Sequence, residues 1–130
     1  MNSVLKLLMG MLVFAAWPSI VKAQTSSCAV SYNIPYCQYI GKLKHVYINE
    51  GRVMLFYLEQ PMDIALPASV GYTGVSNGSA VTYNANVDPV FAEYFYSTAL
   101  TALAGDKTIS IQMRQTVGGY MKVDRIWLHK

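Results

Sequence analysis

Asp88-Pro89-Val90-Phe91-Ala92-Glu93-Tyr94-Phe95-Tyr96-Ser97-Thr98-Ala99-Leu100-Thr101-Ala102-Leu103-Ala104-Gly105 is the stretch that decides the fold. Asp88 is a favourable N-cap, because its carboxylate can accept from a free backbone N–H of the first turn. Pro89 takes the first helical position, where its missing N–H is not needed. Glu93 falls in the early turns, where the helix dipole favours negative charge. The spacing predicts a helix through Ala104, with Gly105 as a left-handed C-cap. Phe91, Phe95, Thr98 and Ala102 line one face, and Tyr96, Leu100 and Leu103 line a neighbouring one. A helix with so few polar residues is buried or packs against a partner. Tyr96 and Leu100 are the candidates for contact between copies.

Downstream, the pattern switches from helical to strand period. Ile109, Ile111 and Met113 alternate with Thr108, Ser110, Gln112 and Arg114, as a half-buried strand requires. Gly118-Gly119 turns the chain. Tyr120–Leu128 returns as a closing strand, with Tyr120, Lys122, Asp124, Ile126 and Leu128 on one side and Met121, Val123, Arg125 and Trp127 on the other. Upstream, Leu43–Ile48 and Arg52–Glu59 form a hairpin about Asn49-Glu50-Gly51, whose glycine is available for positive φ. The second arm is apolar on both faces and reads as a central strand. Pro61 to Pro67 reads as irregular, Val70–Val75 as a short strand, and Asn77-Gly78 as a tight turn leading into Ser79–Tyr83. Asn77-Gly78-Ser79 also matches a glycosylation sequon, but the turn explains the dipeptide more simply.

Strands, one buried helix and two closing strands make a mainly β chain. A five-stranded Greek-key β-barrel plugged by a helix has this order. An α+β sheet is the alternative.

Residues 1–23 read as a signal peptide. Lys6 precedes the apolar run Leu7–Ala16, Pro18 breaks it, and Val21-Lys22-Ala23 ends in small residues. The apolar run is short for a membrane span. The remaining chain is then an N-terminal arm, 24–40, and one barrel domain, 41–130, with no membrane span and a periplasmic or secreted location. The sequence has 10 Lys+Arg against 7 Asp+Glu. Lys6 and Lys22 leave with the signal, so 10 − 2 against 7 gives +1. Nucleic-acid binders carry a clear basic excess on one face, so this balance argues against a nucleic-acid partner. Cys28 and Cys37 are the only cysteines, and in an oxidising compartment an isolated pair is most simply a disulfide. It would tie down the N-terminal arm, ahead of the first strand.

No nucleophile constellation stands out, so the chain reads as non-catalytic, with no cofactor and no metal. His129 reads as part of a solvated tail and His45 as a surface or edge residue. Asp63, Asp88 and Asp106 read as turn and cap residues. The candidate ligand-binding residues are Tyr72, Thr73, Asn77, Ser79 and Tyr83, around the Gly-rich turn, since tyrosine rings stack on sugar faces and small amides and hydroxyls bond to their hydroxyls. Lys122, Asp124, Arg125 and Trp127 form a second candidate group. The ten tyrosines suit a recognition surface for sugars or proteins.

The helical segment with its Tyr94-Phe95-Tyr96-Ser97-Thr98 core, the strand Lys107-Thr108-Ile109-Ser110-Ile111 and the closing strand Tyr120–Leu128 together resemble the small OB-fold B subunits of bacterial AB-type toxins, the pertussis, typhoid and subtilase cytotoxin group. The likeness covers about a third of the chain. It implies an OB-fold-like barrel, a homo-pentamer, a glycan receptor and a catalytic A-type subunit. Both cysteines lie ahead of the barrel here, whereas the toxin subunits carry a disulfide within it. The alternative function is a monomeric periplasmic or extracellular binding or inhibitor module acting on a protein partner. A secreted enzyme is the least supported reading.

Overall fold

The computed structural model describes residues 24–130; the expected signal peptide lies outside them. The described chain forms β1 (Thr25–Ser31), β2 (Ile34–Gly41), β3 (Leu43–Ile48), β4 (Val53–Leu58), α1 (Ala65–Ser69), β5 (Ala80–Asn84), α2 (Pro89–Ala104), β6 (Ile109–Val117) and β7 (Tyr120–Leu128). It is mainly β with one main helix. The seven strands make one sheet in the order β1-β2-β6-β7-β5-β4-β3, and only β5 and β7 run parallel.

The expected barrel does not close: the sheet is open, with β1 and β3 as its two ends. The sheet nevertheless curls, through one bent segment. Residues 34–48 run through β2 and β3 with only Lys42 between them; the first half bonds to β6 and the second to β4. The path β2-β6-β7-β5-β4-β3 therefore starts and finishes on one segment, and the sheet curls until β2 and β3 share a corner. There the Glu59 N–H donates to Lys42 O at 3.0 Å, and the Tyr39 hydroxyl donates to the same carbonyl at 2.7 Å. Gly41 admits that hydroxyl: a Cβ at Gly41 would sit 2.4 Å from it.

The N-terminal arm is the second correction. It is a β-hairpin, so the cysteines do not precede the first strand but oppose each other within the first pair, Cys28 against Cys37. They form the expected disulfide. Tyr32 and Asn33 make the turn with φ of 49° and 62°, the geometry of a two-residue type I′ connection.

Helix α2 follows its sequence signals closely. The Asp88 carboxylate accepts from the Phe91 N–H at 3.0 Å, and Pro89 opens the helix. Ala92, Phe95, Ala99 and Ala102 are buried; the three alanines let the backbone lie close to β7 and β3. Phe95 meets Phe56 edge-on at 4.4 Å between centroids. The cap differs from expectation. Gly105 has φ −91°, and Asp106 takes the left-handed conformation with φ 50°. Lys107 N donates to Ala102 O and Asp106 N to Leu103 O, a Schellman pair one residue later than expected. Lys42 pairs with Asp106 at 2.6 Å, which ties the helix end to the β2–β3 corner.

Three smaller expectations also change. The stretch 61–67 includes the start of a short helix, α1, and no strand forms over 70–75. Arg52 (φ 60°), rather than Gly51, supplies the positive φ between β3 and β4. Asn77-Gly78 is not a hairpin turn: Asn77 Oδ1 accepts from Ser79 N at 2.9 Å, and Gly78 lies so close to Met62 that a Cβ would fall 1.9 Å from its carbonyl oxygen. That glycine answers a backbone crossing.

Candidate functional site

The β6–β7 ladder slips twice. Between the pairs Met113–Val123 and Thr116–Met121, two residues of β6, Arg114 and Gln115, face Lys122 alone. Gln115 absorbs the surplus with φ 68°. Between Gln112–Arg125 and Met113–Val123, Asp124 is the residue left over on β7. A regular ladder sends neighbouring side chains to opposite faces, and bulges break that rule. Here they gather Arg114, Gln115, Lys122 and Asp124 around a cavity of about 340 Å³, walled by Tyr83 of β5 and Phe91 of α2.

The wall is aromatic: Tyr83 and Phe91 lie 4.9 Å apart between centroids. Lys122 Nζ stands 5.9 Å from the Tyr83 ring centre and donates to Gln115 Oε1 at 3.1 Å. Asp124 Oδ2 receives Arg125 Nε at 3.0 Å and faces Arg114 Nε at 3.7 Å. One carboxylate thus serves two guanidinium groups, with Lys122 as a further cation, so the surroundings are net positive. Burial, together with the nearby Asp88 carboxylate, pushes the Tyr83 phenol above its ordinary range. Tyr83 is then a neutral hydroxyl donor at physiological pH.

Cations, an amide, a phenol and an aromatic wall can bind a polar ligand with a flat apolar face. They include no activated nucleophile. The closest approach to a catalytic pair is Ser110 Oγ, 2.7 Å from His129 Nε2, but Ser110 is buried at 4 % exposure, and no side-chain bond joins His129 to a carboxylate among the described residues. His129 is thereby docked on β6, its N–H also donating to Thr108 O, and is not the solvated tail expected. His45 lies exposed on the edge strand β3, stacked on Tyr57. Among the described residues no group of three His, Cys, Asp or Glu is placed to hold a metal, and no described helix is long and apolar enough to cross a membrane.

Of the five candidate ligand residues, Tyr83 lines this cavity and the other four do not. The Tyr72 hydroxyl donates to Pro35 O at 2.6 Å. Asn77 Nδ2 reaches the Tyr120 hydroxyl at 3.4 Å, and its N–H donates to Gly119 O. Thr73 is exposed and Ser79 half-buried; loop 70–79 is thus laid against β2 and the β6–β7 turn. The second candidate group fares differently. Lys122 and Asp124 line the cavity, Arg125 flanks it, and Trp127 stands 43 % exposed further along β7. Arg114, Gln115 and Phe91 were not singled out for this site. Gln112 and Arg114 stood out only as the polar side of an alternating strand. On α2, Tyr96 is half-buried against the core, whereas Leu100 is 37 % exposed and Val90 and Tyr94 more so.

Comparisons with protein families, with curated proteins and with solved structures find no match.

Proposed function

We propose that this chain is an exported, non-catalytic binding subunit that recognises a glycan in the Arg114–Lys122–Tyr83 cavity, within a toxin-type homo-oligomer that carries a catalytic A-type subunit. The observation that carries the reading is the double bulge of β6–β7. It bends an otherwise regular ladder so that donors, an acceptor and an aromatic wall converge, and that combination suits sugars, whose hydroxyls need donors and acceptors and whose ring faces stack on aromatic side chains. The likeness of the helix and closing strands to toxin B subunits supports it. So does the strand connectivity, which follows a partly open Greek-key barrel of a kind that binds oligosaccharides elsewhere.

The outer face of α2 supports assembly. Val90, Tyr94 and Leu100 are exposed, while the hydroxyls of Ser97, Thr98 and Thr101 donate to the helix's own carbonyls and need no water. The outer edges of β1 and β3, unpaired among the described residues, favour the second reading, a monomeric binding or inhibitor module that docks on a protein partner.

Light scattering on a sizing column, followed by a glycan array, tests both readings. A pentamer that binds sugars and loses assembly but not circular dichroism on Leu100→Glu is the expected outcome. A monomer without sugar affinity overturns it and favours the docking module. Leu100 is a cleaner probe than Tyr96, because Tyr96 also packs on the core.

A further inference from the structure

A second cavity, of about 260 Å³, opens beside the first. Its walls come from the N-terminal hairpin, through Tyr32 and Tyr36, and from the outer face of β6–β7, through Gln112, Arg114 and Arg125. Arg114 lines both cavities, so the two adjoin at its side chain. Two buried side-chain polar atoms lack a hydrogen-bond partner among the described residues: Gln112 Oε1, and Arg114 Nε, which has only the longer 3.7 Å ion-pair contact to Asp124 Oδ2. Both residues line the second cavity. An orphaned buried acceptor and donor each lose the bond that water would have given, and native chains rarely leave such groups unmatched. A ligand that offers a hydroxyl or amide N–H to Gln112 and an oxygen to Arg114 removes both deficits together.

We propose that the second cavity is a further subsite, and that the chain binds an oligosaccharide across both cavities, one sugar in each, in preference to a single sugar. This rests on the glycan reading above. A sugar carries the matching donor and acceptor on neighbouring carbons. Tyr32, at 97 % exposure, offers a free ring for its apolar face. The role also accounts for the hairpin itself. Of β1, only Ser26 and Cys28 are even partly buried, so the strand adds little to the core, yet it brings Tyr32 and Tyr36 up to Gln112.

The test is a microarray that displays a set of oligosaccharides, each beside its own mono- and disaccharide fragments, probed with the purified protein and three variants. Pairing these two groups and stacking one ring predicts that oligosaccharides bind about tenfold or more tightly than their monosaccharide fragments. Gln112→Leu and Tyr32→Ala should each erase most of that advantage and leave monosaccharide binding as it was. Lys122→Gln, in the first cavity, should weaken fragments and oligosaccharides alike. Tyr32 is fully exposed, so its variant keeps the test valid if Gln112→Leu fails to fold. Equal binding of fragments and oligosaccharides, or an advantage that survives both second-cavity variants, overturns the subsite and leaves the glycan reading standing. Silence across the whole array overturns both.

Discussion

The hairpins β1–β2 and β6–β7 are made of similar parts and do opposite work. Each turns through two residues of positive φ, Tyr32-Asn33 in one and Gly118-Gly119 in the other. From there they diverge. In β1–β2 the register runs unbroken from Thr25–Ile40 to Ser31–Ile34, and a disulfide locks it. In β6–β7 the register slips twice, and no covalent bond compensates. The buried residues explain how this is tolerated. The second hairpin places Ile109, Ile111, Met113, Met121 and Val123 in the core at 2 % exposure or less, and that apolar burial outweighs two broken rungs. The first buries Cys37 and Tyr39 through β2 but exposes Val30, Tyr32 and Ile34, and its outer strand β1 has no fully buried residue, so that strand is marginal without a staple. Regularity here belongs to the hairpin whose outer strand is weakly anchored, while the one buried through both strands can hold bulges and aim side chains with them.

The disulfide offers the largest break in this comparison. Closing a loop of about ten residues is worth roughly 2.5 kcal/mol in the chain-entropy model. The Cys28→Ser/Cys37→Ser double variant should lower urea-unfolding stability by about that amount, with amide exchange accelerated first in β1. Protection in β6–β7 should fall only with global stability. Early and equal loss in both hairpins would mean that the bulged pair leans on the regular one.

Two buried tyrosines sharpen the contrast by about 1 kcal/mol. Tyr39 of β2 is almost fully buried, and burial raises its phenol above the ordinary range, as it does for Tyr83 in the cavity wall. A raised folded value means that the fold prefers the neutral phenol. That contribution is whole below about pH 10, where the unfolded phenol is still protonated, and is lost as pH rises through the folded value. Stability should therefore drop above about pH 10, followed by denaturant unfolding. Tyr39→Phe should lose about 1 kcal/mol at neutral pH, for the bond to Lys42 O, and should flatten the alkaline fall. Tyr83→Phe should flatten it too but weaken sugar binding, which Tyr39→Phe should spare. An alkaline profile unchanged in both variants would assign the drop to other groups.

These contrasts also mark what the sequence could reveal. Helix α2 was legible because Asp88, Pro89 and the apolar run are local signals, and β6–β7 because its alternation persists over several residues. The hairpin β1–β2 was missed because its turn uses Tyr32-Asn33, where glycine or an Asn-Gly pair usually signals the left-handed geometry. Asn77-Gly78 misled for the converse reason. Its glycine is demanded by Met62, distant in sequence, and no local pattern carries that information. The curl of the sheet followed from the bend at Lys42, a tertiary event. Lys122, Asp124 and Arg125 were picked out by charge and type alone, but a bulge leaves no periodicity to read, so Arg114 and Gln115 stayed hidden on the polar side of a strand.

The smallest effect concerns Gln115 itself. Its φ of 68° strains a residue with a Cβ by about 1 kcal/mol, a strain that Gly118 and Gly119 at the nearby turn do not bear. Glycine at 115 would relieve this but would also gain freedom in the unfolded chain, an offset of about 0.5 to 1 kcal/mol. Gln115→Gly should therefore shift stability by no more than about 0.5 kcal/mol, in the stabilising direction. The bond from Lys122 to Gln115 Oε1 is exposed and should contribute little to the fold, yet it holds Lys122 beside the Tyr83 ring. Sugar affinity should accordingly fall while thermal stability holds. A destabilisation beyond about 1 kcal/mol would mean that the side chain, rather than the core beneath it, keeps the bulge in place, and the bulged hairpin would then be stapled after all, by a hydrogen bond in place of a disulfide.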